Sequence, residues 1–291
     1  MALAVPNFSE GRDAEAIESI SAAFAGAELL DRHSDGIHHR TVLTLYAPAP
    51  ELLGALVAGA EACVERIDIG DHQGAHPRIG ALDVCPLVWL SEDEHAATRS
   101  LALDAAAAIA ELDLPVFLYG ELASEPSRAE RAYFRRGGIA ALSDRMRSGT
   151  LRPDFGPAEP HPTAGAVLVT ARPPLAAFNI ELDTADLAAA AAIAAELRES
   201  GGGLAGVRAI AIDLGDRAQV STNVHDPAAV PLATVIERVR ELGVRRGVRP
   251  LSGEVVGLVP EASLRGLPED VPLAGFDPAT QVLERRIQPP T

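Results

Sequence analysis

One order of apolar runs occurs twice along this chain, and that repetition restricts the fold more than any other feature. In the first pass a short apolar run, Ala2 to Val5, enters the turn-rich segment Pro6-Asn7-Phe8-Ser9-Glu10-Gly11. Helical spacing follows at Ile17, Ile20, Ala23 and Phe24, with Gly26 where a C-terminal cap belongs. Strands fit Glu28 to Asp31 and Thr41 to Tyr46, and a long helix fits Pro50 to Arg66, whose Leu52, Leu53, Leu56, Val57, Ala60 and Val64 form one apolar stripe. The segment Asp68 to Gly80 has no periodicity and four Gly or Pro residues, so it is a loop. Ala81 to Leu90 then reads as a buried strand. The second pass gives a strand at Ala177 to Leu182 and a helix at Thr184 to Glu199. Strands at Val207 to Leu214 and Gln219 to Val224, a helix at Ala229 to Leu242 and a strand at Glu254 to Val259 complete it. Thr184 is the expected N-cap, and Gly215-Asp216 is a hairpin turn.

The expected fold class is therefore α/β in the α+β sense. It comprises two βαββαβ-type subdomains, residues 1–172 and 173–291, with helices on one face of each sheet and a ligand groove between them. Between the repeats lie a helix from Glu92 to Leu112, a strand from Pro115 to Tyr119, an Arg-rich helical stretch from Ser127 to Arg147, and a Pro- and Gly-rich connection from Arg152 to Gly165. The tail from Gly266 on is expected to wind over the surface.

Charge and residue usage remove whole classes of function. A formal charge of −16 argues against long-range attraction to nucleic acid or an anionic membrane, which both need a positive field. No apolar run approaches the ~20 residues of a membrane span, and the first residues lack a basic leader, so a cytoplasmic location is expected. Cys63 and Cys85 are too few for a disulfide framework. All 25 basic residues are arginine, which excludes Schiff-base and P-loop lysines. Gly201-Gly202-Gly203 follows a helix instead of opening one, so a dinucleotide fingerprint fails on order.

Two histidine clusters remain. The loop Asp71-His72-Gln73-Gly74-Ala75-His76-Pro77-Arg78 carries side chains suited to proton transfer. His72 and His76 have the spacing of a helical zinc pair, but Gly74 and Pro77 make a helix poor there. The second cluster, His33 to Arg40, lies between two strands. Its three histidines lack acidic or cysteine partners at ligand spacing, and Arg40 is a candidate fork for a carboxylate. From these residues alone the reading is an α/β enzyme with a histidine-bearing loop.

Seven segments in order along nearly the whole chain resemble the formiminotransferase domain family: Val5 to Gly11, His76 to Val84, Leu118 to Glu121, Pro153 to Pro157, Ala177 to Ile180, Gln219 to Asn223 and Val256 to Pro260. The resemblance implies transfer of a formimino group from N-formimidoyl-L-glutamate to tetrahydrofolate, in histidine degradation, by a homodimer that uses tetrahydrofolate as co-substrate and needs no metal. It puts the catalytic histidine at His76. The segment near folate becomes Gly156, Pro157, Ala158, Glu159, Pro160, His161, Pro162, Thr163, Ala164 and Gly165, which otherwise reads as a stiff crossover. Arg40 and Arg78 are the candidates for holding substrate carboxylates. Ala75, Gln73, His39, Ile37 and Thr170 depart from the residues usual in the family, and loss of an acid beside a cationic amidine would weaken that substrate's binding. A relative handling another one-carbon group, such as formyl, and a silent folate-binding paralogue are the competing readings.

Overall fold

A computed structural model of the chain describes residues 1–287, and these form two units, the first ending at Pro173 and the second beginning at Pro174. The first unit runs β1 (Ala2–Ala4), β2 (Asn7–Phe8), α1 (Ala14–Ala23), β3 (Glu28–Asp35), β4 (Arg40–Ala47), α2 (Ala49–Arg66) and β5 (Leu82–Val88). It continues with α3 (His95–Ala110), β6 (Val116–Leu118), α4 (Arg131–Arg135), α5 (Gly138–Arg147) and β7 (Val167–Arg172). Local chemistry sets the boundaries. The Asp13 carboxylate accepts the Glu15 and Ala16 N–H groups and starts α1. β1 and β2 lie end to end, each pairing with both β4 and β5, and the break between them falls at Pro6, which has no N–H to give a ladder. The seven-stranded sheet is antiparallel at this end, while β5 and β6 flank β7 in parallel.

Alternation along these strands builds two cores. Leu82, Cys85, Leu87, Val116, Leu118, Val167 and Val169 join residues from α1, α2 and α3 on one face. α1 and α2 approach so closely that a Cβ on Gly59 would stand 2.1 Å from the Phe24 ring, so only glycine fits there. On the other face Val84, Phe117, Ala166 and Leu168 pack with Phe134, Leu142 and Met146 of α4 and α5. The β5–β7–β6 edge therefore has helices on both faces, beyond the one-face arrangement expected. The Arg-rich stretch is two helices instead of one, broken where Gly137 and Gly138 both take positive φ, 75° and 69°.

The second unit repeats the simpler plan with β8 (Ala176–Leu182), α6 (Leu187–Leu197), β9 (Val207–Asp213), β10 (Ala218–Val224), α7 (Leu232–Val244) and β11 (Pro250–Val256), in an antiparallel sheet ordered β11-β8-β10-β9. Asp186, not Thr184, caps α6 by accepting the Ala188 and Ala189 N–H groups; the Thr184 hydroxyl accepts from Asp186 N instead. The tail carries α8 (Pro278–Gln281) and α9 (Leu283–Ile287), and it buries Val271, Val282 and Leu283, so it contributes to packing instead of only covering the surface. Its last four residues lie outside the described ones. No helix among the described residues is long and apolar enough to cross a membrane.

Candidate active site

The two histidine clusters, more than thirty residues apart in sequence, converge because β4 and β5 both flank β2. Arg40 opens β4 and points inward. Its Nε and Nη2 donate to Asn7 Oδ1 at 2.9 and 2.6 Å, and its Nη1 reaches Asp83 Oδ2 at 2.8 Å and His76 Nδ1 at 3.0 Å. Asp83, on β5, is fully buried; it also accepts from Arg135 of α4 and, through Oδ1, from the Ile79 N–H at 2.8 Å. Burial alone would raise the Asp83 carboxyl, but Arg135, Arg40 and the Ile79 amide outweigh it and hold it below its ordinary value.

His76 follows from this arrangement. A guanidinium only donates, so Nδ1 of His76 must accept, and the ring carries its proton on Nε2. Burial and then the charges of Arg40, Arg135 and Arg131, together with His38, push the imidazolium well below its ordinary range, so the ring is neutral. It lines an open recess of about 310 Å³ together with Gly74, Pro77, Arg78, Arg135 and Ile139.

The neighbouring histidines stabilise the loop. His72 Nε2 bonds the His39 carbonyl at 2.8 Å, and the His39 and His72 rings stack at 4.1 Å. His39 Nδ1 accepts from Gly11 N at 3.1 Å, so its proton sits on Nε2. His39 takes φ of 51°, a left-handed conformation that asparagine and histidine tolerate better than most residues. His38 Nδ1 stands 3.0 Å from the Asp35 carboxylate, and its ring is 6.3 Å from that of His76. These contacts give each histidine its own local partner, so the zinc spacing of His72 and His76 is not realised as a helical pair.

Of the residues expected to hold carboxylates, Arg78 lines the recess, with its guanidinium donating to the His72 and Gly74 carbonyls. Arg40 is 9% exposed and directs its donors at Asn7, Asp83 and His76, so it acts inside the wall of the site. The connection 156–165 meets the base of the histidine loop. Thr163 O accepts from Ile69 N and Ala164 O from Ala81 N, both at 2.9 Å, while His161 and Gly165 exchange backbone bonds of 2.8 and 2.9 Å. His161 Nδ1 accepts from Ala164 N at 3.0 Å. A Cβ on Gly165, whose φ is +70°, would stand 2.2 Å from Ile79 O. The connection thus braces the loop from behind.

Asn7, Asp83 and Arg135 escaped the sequence reading. Asp83 carried the one available signal, a lone acid inside an otherwise apolar strand.

Comparison with known proteins identifies the family. The model of the formiminotransferase domain, N-terminal subdomain, matches residues 1–172, and that of the formiminotransferase domain matches residues 177–266. The chain belongs to the formiminotransferase domain family. It is 36% identical to a glutamate formimidoyltransferase of Thermoplasma acidophilum over 293 residues, covering 98% of this chain and 96% of the relative. A glutamate formimidoyltransferase of Streptococcus pyogenes serotype M1 is also 36% identical, with 97% of each chain covered. The formimidoyltransferase-cyclodeaminase of Sus scrofa is 37% identical over 89% of this chain and 50% of its own length. The Thr170 hydroxyl on β7 donates to Tyr119 O at 2.7 Å.

Proposed function

We propose that this chain is a glutamate formimidoyltransferase that moves the formimino group of N-formimidoyl-L-glutamate to N5 of tetrahydrofolate. The observation that carries the reading is the Arg40-held His76 ring at the wall of a recess, in a chain similar over nearly its full length to proteins of that name. Attack by N5 on the amidine carbon forms a tetrahedral centre that must release the glutamate nitrogen as an amine. That nitrogen leaves only when it gains a proton, and N5 must lose one. Neutral His76 has a single proton to give, on Nε2. The cations that disfavour its imidazolium also stabilise electron density on the ring, so they make this N–H a stronger acid. His76 gives the Nε2 proton to the departing nitrogen and regains one from N5, and no net proton is consumed.

Arg40 is in this reading the positioning residue that fixes the His76 tautomer, and Arg78 holds a substrate carboxylate. The braced segment Gly156 to Gly165 lies on the folate side. A role in histidine degradation, a homodimeric state and a cytoplasmic location come with the reading. Purified protein incubated with tetrahydrofolate and N-formimidoyl-L-glutamate should form 5-formimidoyltetrahydrofolate, and His76→Ala should slow it by about 10²- to 10⁴-fold. Wild-type turnover in that variant would refute the assignment. Transfer of formyl in place of formimino, or folate binding without turnover, would replace the proposed reaction.

A further inference from the structure

With Nδ1 held by Arg40, His76 has only Nε2 for chemistry, and that atom already carries a proton. N5 becomes cationic as it attacks, so its proton is the first to leave, and His76 cannot take that proton before giving up its own. A base with a free lone pair beside His76 resolves the order.

His38 offers one. It lies in the turn between β3 and β4, is 7% exposed, and its turn is docked on the histidine loop. Ala75 N donates to Ile37 O at 3.1 Å, and a Cβ on Gly74, which lines the recess, would stand 2.4 Å from His38 O. His38 Nδ1 faces Asp35 Oδ1 at 3.0 Å, and the same oxygen accepts the Ile37 and His38 N–H groups, each at 2.7 Å. Burial alone would raise the Asp35 carboxyl, but the His38 ring and backbone N–H, the charge on that ring and the Ile37 N–H bring it down to about 2. At neutral pH Asp35 is therefore a carboxylate that only accepts, so Nδ1 carries the His38 proton and Nε2 of the neutral ring is a bare lone pair. That Nε2 is buried and has no hydrogen-bond partner among the described residues. Buried polar atoms are nearly always satisfied, so one left open beside a functional ring marks a place where a proton or a water enters. The His76 ring stands 6.3 Å away between centres, tilted at 53°, and a single water bridges a polar gap of this kind.

We infer that Asp35 and His38 form a proton-accepting dyad that serves His76: Asp35 orients the ring, and His38 Nε2 holds the proton that N5 releases until His76 needs it. The steps balance. The N5–H bond breaks as a bridging water passes its own proton to His38 Nε2, which leaves an imidazolium beside the Asp35 carboxylate. The His76 Nε2–H bond then breaks as the glutamate nitrogen gains that proton, and the bond from this nitrogen to the amidine carbon cleaves with its electron pair on nitrogen. His38 returns its proton through the water to His76 Nε2. One proton has moved from N5 to the glutamate nitrogen, and both rings are restored. His38 and Asp35 act through the water and His76, so they are positioning residues. The inference rests on the proposed reaction for the source of the proton, whereas the opposite tautomers of the two rings do not depend on it.

The test combines ring-nitrogen NMR with kinetics. Long-range proton–nitrogen correlation spectra of the full chain, labelled in its histidine rings and assigned with His38→Asn and His76→Ala, should show His38 as the Nδ1–H tautomer and His76 as the Nε2–H tautomer. A His38 ring found as Nε2–H, or doubly protonated at the pH of turnover, would overturn the dyad whatever the reaction. His38→Asn keeps an N–H for Asp35 near the place of Nδ1 and loses the base. It should unfold in urea at the wild-type midpoint yet lower kcat by about 10²-fold, the lower end for a positioned acid or base, with KM little changed. In mixtures of light and heavy water the wild-type rate should curve with isotope fraction, as expected for several protons in flight, and the His38→Asn rate should fall on a straight line. Asp35→Asn keeps Oδ1 as an acceptor but removes the charge opposite the imidazolium, and should lower kcat by less. Wild-type kcat in His38→Asn, or the same curvature in both proteins, would overturn the relay. Because the spectra need no turnover, opposite tautomers in a protein without formimino transfer would support the dyad and overturn only the proposed reaction.

Discussion

Replacing Asp83 by asparagine should be among the most damaging single changes in the N-terminal unit, although it removes no atom bulk. The carboxylate is fully buried and serves three donors: Arg40 Nη1, Arg135 and the Ile79 N–H. Both arginine side chains are only 10% exposed, so the loss leaves two cations without a counter-charge away from water. Breaking a buried pair in this way costs about 3–5 kcal/mol, a large share of the ~5–15 kcal/mol that holds a domain folded. The amide of asparagine also turns N–H groups toward donors. The chain has a single tryptophan, Trp89, buried just past β5 in this unit, so its fluorescence reports unfolding there. In urea the midpoint should fall by about 1–3 M at an unchanged slope. Removing one cation as well, in Asp83→Asn with Arg135→Met, should recover part of the loss. The pH dependence follows from the depressed Asp83 carboxyl. The folded state binds fewer protons than the unfolded one, so the stabilisation is full above the ordinary carboxylate range and is lost as pH falls through the folded value. The gap between wild type and variant should therefore be constant near neutrality and close below about pH 4. A midpoint within error of wild type at pH 7 would refute the reasoning.

Two further tests concern the histidine loop. Gly165→Ala combines a φ of +70° with a Cβ 2.2 Å from Ile79 O and should destabilise by about 1–3 kcal/mol or more in urea unfolding; Gly149→Ala, at φ +73° with nothing within 4 Å, should cost clearly less, and equal losses would show that the close approach is unimportant. Burial, with Arg78 and His39 adding to it, lowers His72 to about 4 against the bond to the His39 carbonyl and the Glu10 charge, which raise it. The unfolded chain therefore takes up a proton first, and stability should fall as pH drops from about 6.5 toward 4. His72→Gln should flatten that slope in Trp89-monitored melting, and parallel slopes would refute it.

The doubled topology was readable because hydrophobic period is local information: every strand and helix of both βαββαβ passes has a described counterpart. Where tertiary contacts decide, reading failed. Ser127 to Arg147 looks like one helix by composition, yet Gly137 and Gly138 break it, so that α4 can carry Arg135 to Asp83 while α5 packs Leu142 and Met146 on the sheet. Asp186 displaced Thr184 as a cap through geometry that spacing does not encode. The loop that carries His76 was legible as a candidate site because it had no structural periodicity to explain it, and the structure sets His76 at the wall of a recess. The partner that fixes its tautomer, Arg40, is 36 residues away, and the two meet only through the register of β2 with β4 and β5. Arg40 therefore looked from sequence like a ligand fork, when its burial makes it part of the wall.

The absence of lysine, which in the sequence only excluded mechanisms, matters positively once the site is built. Arg135 is pushed down to about 10 by burial, against the pull of Asp83, and by the repulsion of Arg131 and Arg40, yet it stays charged at neutral pH. A lysine starts about two units lower, near 10.4, and the same displacement would bring it to roughly 8, where part of the population is neutral. The field that sets the tautomer and acidity of His76 would then vary with pH and with ligand. Guanidiniums keep it constant across the physiological range. A chain with net charge −16 can thus maintain a permanently cationic recess, because a surface field is screened within about 8 Å at physiological salt while a buried cluster is screened far less.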